Sequence, residues 1–147
     1  SSHLLVKVIG EFSHTTLTLA PELQKLGSVT DAQWNDIDGD DDLDLIITGE
    51  WLGIEVLVND FGHFKRTQSF DHLSLKKGWW SSLLVTDVDN DGDQDIVAGN
   101  LGLNTKYKAS REKPFHSYTK DNDKKGTQDV ILAKYYGDKQ VPVRGKS

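Results

Sequence analysis

The sequence predicts an all-β chain of about three propeller-like blades, and three observations predict it. A nine-residue acidic stretch occurs twice in strict form, at residues 36–44 (DIDGDDDLD) and 87–95 (DVDNDGDQD), and once imperfectly at 121–129 (DNDKKGTQD). Short runs rich in β-branched and apolar residues flank each stretch, at strand length rather than helix length. The stretches start 51 and then 34 residues apart, and no segment sustains a helical period, so a repeat of several short strands is the pattern that fits. A self-contained β-sandwich built from the same hairpins is the competing architecture.

Taken in order, residues 3–18 (HLLVKVIGEFSHTTLT) alternate apolar and polar side chains about Gly10 and Glu11, which predicts a hairpin. Residues 20–26 (APELQKL) carry a proline suited to a first helical turn and are followed by Gly27, so one short helical turn is expected, as a connector and not a core helix. VTDAQW then leads into the first acidic stretch, LDLIITGEW and IEVLVND leave it, and Gly62 turns the chain into HFKRTQSF, giving four strands. The second unit has the same grammar. Trp79 and Trp80 precede SSLLVTDV, and DIVAGN follows the stretch, so that Asp95, Ile96, Val97, Ala98 and Gly99 align with Asp44, Leu45, Ile46, Ile47 and the nearby Gly49. In the third, FHSYTK enters and DVILAKYY leaves. Residues 1–147 are read as a single repeat region with units at approximately 27–70, 78–109 and 113–144.

The acidic stretches carry the chemistry. Residues 87–95 place carboxylates at positions one, three, five, seven and nine of a short loop, with Gly92 at position six, where the backbone must turn with positive φ. Like charges so close together repel unless a cation sits among them, and carboxylate oxygens favour a hard ion such as Ca²⁺ over zinc or copper. Mg²⁺ and Mn²⁺ remain open by residue type. The expected ligands are the side chains of Asp87, Asp89, Asp91 and Asp95 with the carbonyl of Asp93, and those of Asp36, Asp38, Asp40 and Asp44 with the carbonyl of Asp42, for about two Ca²⁺ per chain. An EF-hand fails, because its bidentate glutamate would fall on Ile47 or Ala98 and its exit must be a helix. Position six of the first loop is Asp41, which tolerates the left-handed region better than most residues. In the third loop Lys125 occupies position five, so an ammonium group is expected to replace the ion there and pair with Asp121, Asp123 or Asp129. A closed oxygen cage with no open position serves structure rather than catalysis.

The net charge of −6 misleads as a single number, since eleven of the 23 acidic residues lie in the two strict loops, leaving 12 acids against 17 bases elsewhere. Those bases are scattered, which argues against nucleic acid as a partner. The longest apolar runs are four residues, as at 130–133 (VILA), far below the roughly 20 that a membrane helix needs. Cysteine is absent and silent on compartment, whereas millimolar calcium makes the outside of a cell the natural home for modest-affinity aspartate loops. His3, His14, His63, His72 and His116 lack any paired metal-ligand spacing. Trp34, Trp51, Trp79 and Trp80 suit either a hairpin core or a sugar platform. Residues 99–105 (GNLGLNT) read as a tight turn, and Glu50 and Glu55 flank Trp51 without a nucleophile setting.

The pattern DxDxDGxxD followed by an apolar strand, with Phe61, Gly62, His63 and Phe64 closing the unit, resembles the FG-GAP or VCBS repeat of integrin α-subunit propellers and many bacterial surface proteins. LGSVTDAQWNDIDGDDDLDLIITGEW, GWWSSLLVTDVDNDGDQDIVAGNLGLNT and KDNDKKGTQDVILAKYYGDKQVPV look like the VCBS-repeat region of bacterial secreted proteins of the ASPIC/UnbV type. The resemblance covers residues 26–143 and implies a propeller with calcium in hairpin loops, serving adhesion or binding. The expectation is a calcium-stabilised, non-catalytic module of a secreted, surface or periplasmic protein, with an unknown protein or glycan ligand. The alternative is a fragment of a carbohydrate-active lyase or hydrolase on a propeller scaffold. Because propellers close with 4 to 8 blades, the chain is expected to be an excerpt of a longer protein or to self-associate through open blade edges.

Overall fold

A computed structural model describes residues 4–8, 11–102, 104, 109–120 and 129–143. The fold is all-β with antiparallel sheets, and the chain divides into two compact units, Ser1–Gly102 and Leu103–Ser147.

In the first unit, strands β1 (Leu5–Val8) and β2 (Glu11–His14) form the expected hairpin, from Leu5↔His14 to Val8↔Glu11. The second strand ends at His14, short of the expected Thr18. The Leu4 amide donates to the Thr16 hydroxyl at 2.8 Å and the Leu4 carbonyl accepts from the Thr15 amide at 3.1 Å, so the chain closes on itself and turns into a short helix, α1 (Thr16–Leu19). The next turn, Pro21–Lys25, is 3₁₀ with its proline in the first turn. It is more than a connector: Ala20, Leu23 and Leu26 are buried together with Leu4 against Leu45, Ile47, Leu57 and Phe64.

Strands β3 (Ser28–Asn35), β4 (Asp44–Leu52), β5 (Glu55–Asp60) and β6 (His63–Lys65) follow as an antiparallel meander. The fourth strand is shorter than HFKRTQSF suggested. Residues 68–74 coil instead into a 3₁₀ turn (Gln68–Phe70) and helix α2 (Asp71–Ser74), because Phe70 and Leu73, three apart, share one helical side and pack against the sheet. β4 is the centre of the unit. Leu45 and Ile47 face the N-terminal segment, while Ile46, wholly buried, faces Val56, Val58, Leu83 and Val85. A strand covered on both faces needs the continuous apolar run that LIIT supplies.

Strands β7 (Gly78–Thr86) and β8 (Asp95–Asn100) extend the sheet to the order β6-β5-β4-β7-β8, with β3 also paired to β4. β4 changes neighbour along its length: its pairs with β5 end at Ile47↔Glu55, and its pairs with β7 are Glu50↔Trp79 and Leu52↔Gly78. The bulged residue between them is Trp51, with φ 65°. Beyond that crossing, side chains of β3 serve the edge of β7. The Leu83 amide donates to Asp31 Oδ2 (2.7 Å), the Val85 amide donates to Gln33 Oε1 (2.9 Å), and Gln33 Nε2 donates to the Leu83 carbonyl (3.0 Å). Backbone groups that an open edge would leave unpaired are thereby satisfied.

The two hairpins of this unit repeat in detail. Each has a one-residue bulge, Thr30 in β3 and Ser81 in β7, lying the same distance before its acidic loop. Each closes on the same register, Asn35↔Asp44 and Thr86↔Asp95.

The second unit holds β9 (His116–Lys120), β10 (Asp129–Tyr136) and β11 (Lys139–Pro142) in the order β11-β10-β9. β9 and β10 close on Lys120↔Asp129, the register of the other two hairpins. β10 turns into β11 at Gly137, with φ 60°.

Candidate metal centres

The first loop is built by its own carboxylates. Asp36 Oδ1 accepts from the amides of Gly39 (2.8 Å) and Asp40 (3.1 Å), and Asp36 Oδ2 accepts from that of Asp41 (3.0 Å). Asp40 Oδ1 accepts from Asp42 N (2.9 Å), and Asp44 Oδ2 from Ile37 N (3.0 Å). The second loop repeats the plan. Asp87 accepts from the amides of Asp91 (3.2 Å) and Gly92 (3.0 Å), Asp91 from Asp93 N (2.9 Å), and Asp95 from Val88 N (3.0 Å). Aspartate at position one is short enough to cap the turn that follows it, and its negative charge suits several converging N–H groups.

Two residues of each loop have positive φ. Position six does, as expected, in Asp41 (69°) and Gly92 (99°), and so does position four, in Gly39 (80°) and Asn90 (60°). Each loop thus places one glycine and one Asx residue in the left-handed region, in opposite order. Both are residue types that enter it at low cost, which is why Asp41 at position six does not break the loop.

The geometry gathers three carboxylates in each loop. Oxygens of Asp36, Asp38 and Asp40 lie within 4.8 Å of one another, and so do those of Asp87, Asp89 and Asp95. The remaining sequence-predicted residues stand outside these trios. Asp42 and Asp93 are exposed, Asp91 is tied to the Asp93 amide, and Asp44 is wholly buried. The Asp44 carboxylate is held from both sides, since its Oδ1 accepts from Asn59 N (2.8 Å) while its Oδ2 holds Ile37. Asn59 also donates to the Leu43 carbonyl (3.2 Å) and accepts from Gly62 N (2.7 Å), so it braces the exit of the first loop from the next strand. Sequence reading missed this role, and the only signal for it was an Asx residue three before a turn glycine.

Asp38 shows what the trio does electrostatically. Partial desolvation first, and then the negative charges of Asp44, Asp40 and Asp36, hold its carboxyl above the usual aspartate range. A hard divalent cation among these oxygens would remove that cost, and every donor on offer is a hard oxygen. Asn35 Nδ2 donates to Gln94 Oε1 at 3.3 Å, which joins the neighbourhoods of the two loops. Residues 121–128, with Asp121, Asp123 and Lys125, lie outside the described residues.

A family model described as an FG-GAP-like repeat matches residues 36–98. By that match the segment is similar to an FG-GAP-like repeat. It opens on the first aspartate of the first loop and closes in β8, so both carboxylate trios fall inside it. The match carries the repeat and not the ASPIC/UnbV type. No curated protein and no solved structure matches the chain.

Other candidate side chains around the matched segment have ordinary structural partners. Glu55 is buried and ion-paired with Arg66 at 2.8 Å. Trp34 meets the edge of Phe64 at 5.5 Å, Trp51 and Trp79 lie 5.7 Å apart, and Trp80 Nε1 donates to the Lys76 carbonyl at 3.0 Å. His116, in the second unit, stacks on Tyr118 at 5.9 Å. Asn100 Oδ1 accepts from Gly102 N at 2.6 Å, the tight turn expected after β8.

Proposed function

We propose that the chain is a calcium-stabilised, non-catalytic binding or adhesion module of a secreted or surface bacterial protein, built as about three blades of a propeller. The observation that carries this reading is the duplicated loop: the same capping by position one, the same pair of left-handed residues, and three carboxylates closed to within 4.8 Å in each. Asp36, Asp38, Asp40 and Asp44 would hold one Ca²⁺ with the Asp42 carbonyl, and Asp87, Asp89, Asp91 and Asp95 the other with the Asp93 carbonyl. The ion supplies charge neutralisation between two strands, so binding free energy becomes folding free energy.

Three features support the finer points. The trios are largely exposed, as suits modest-affinity sites filled from millimolar extracellular calcium. Glu55, the buried carboxylate nearest Trp51 in sequence, is engaged by Arg66, in keeping with a non-catalytic role. Among the described residues β8 is the last strand on its side of the first unit's sheet, an edge that suits a protein ligand, a further blade or a second copy.

Titration calorimetry with CaCl₂, beside thermal melts in calcium and in chelator, tests the proposal. About two ions per chain and a calcium-dependent rise in Tm are expected. Absence of binding heat together with identical melts would sink it.

A further inference from the structure

We draw no further inference here: the strongest candidate, the half-exposed Leu84–Val97 rung on the open face of the β7–β8 hairpin, is the counterpart of the Gln33–Ile46 rung that β7 covers in the first hairpin, but nothing in the structure shows what covers it.

Discussion

Asp44 and Asp95 occupy the same position of their loops, yet the structure gives them different burdens. Asp44 is fully buried and accepts from two backbone amides, of Ile37 and Asn59, both partly buried. Asp95 is exposed and accepts from one, of Val88, whose residue is 58 % exposed. In Asp44→Ala two amides lose their acceptor where water replaces it poorly, at about 1–3 kcal/mol each. Removing a buried carboxylate returns part of that sum, leaving a net loss of about 3 kcal/mol. In Asp95→Ala water solvates the freed amide, and the loss is below about 1 kcal/mol. The assay is urea unfolding in excess chelator, so that calcium plays no part, followed by tryptophan fluorescence. All four tryptophans lie in the Ser1–Gly102 unit, which makes the signal specific to it. Equal losses for the two variants would refute the assignment of Asp44 as the brace between loop and β5.

Three further outcomes are expected. Asp36→Asn and Asp87→Asn should each remove one calcium from the calorimetric stoichiometry, and the double variant should bind none; two ions retained in either single variant would contradict the loop assignment. Since the folded state raises the Asp38 pKa, its contribution to stability is present below the unfolded-state value and lost as pH rises through the folded one. Acidification in chelator should therefore slightly stabilise the first loop, whereas calcium affinity there should fall as Asp38 is protonated, as read by calorimetry between neutral pH and about pH 5. Gly92→Ala meets no atom within 4 Å and should cost about 1–2 kcal/mol of left-handed strain, while in Gly49→Ala the new Cβ would lie 1.9 Å from the Ser28 carbonyl oxygen and must break the β3–β4 pairing. Similar chemical denaturation midpoints for those two variants would count against the bulged register at Thr30.

Strands and loops were legible in the sequence because each rests on a local rule. An apolar, β-branched run after an acidic turn reads as a strand from local pattern alone, and the repeat doubled the signal for β3, β4, β7 and β8. The helical turn at Thr16 and the helix after Phe70 were not legible, since they depend on distant partners: the Leu4 backbone in one case and the core around Ile46 in the other. Within the candidate site, the aspartates announced themselves by spacing, and the positive φ at position six followed from Gly92. The division of labour among them did not, because it is set by burial. Asp44 is enclosed by β5, and Asp95 has no equivalent neighbour among the described residues.

The fastening of β7 by Asp31 and Gln33 bears on how such a chain can be rearranged in evolution. A backbone ladder accepts almost any sequence, so strands joined by it can be exchanged between duplicated segments. A junction made by two named side chains cannot. The second hairpin carries Ser82 and Leu84 where the first carries Asp31 and Gln33. Shuffling or recombining the two duplicates would therefore preserve both acidic loops and lose the side-chain half of the seam between them, leaving the short β4–β7 backbone pairing. The order of the hairpins is written into two residues that lie outside the repeat's own signature.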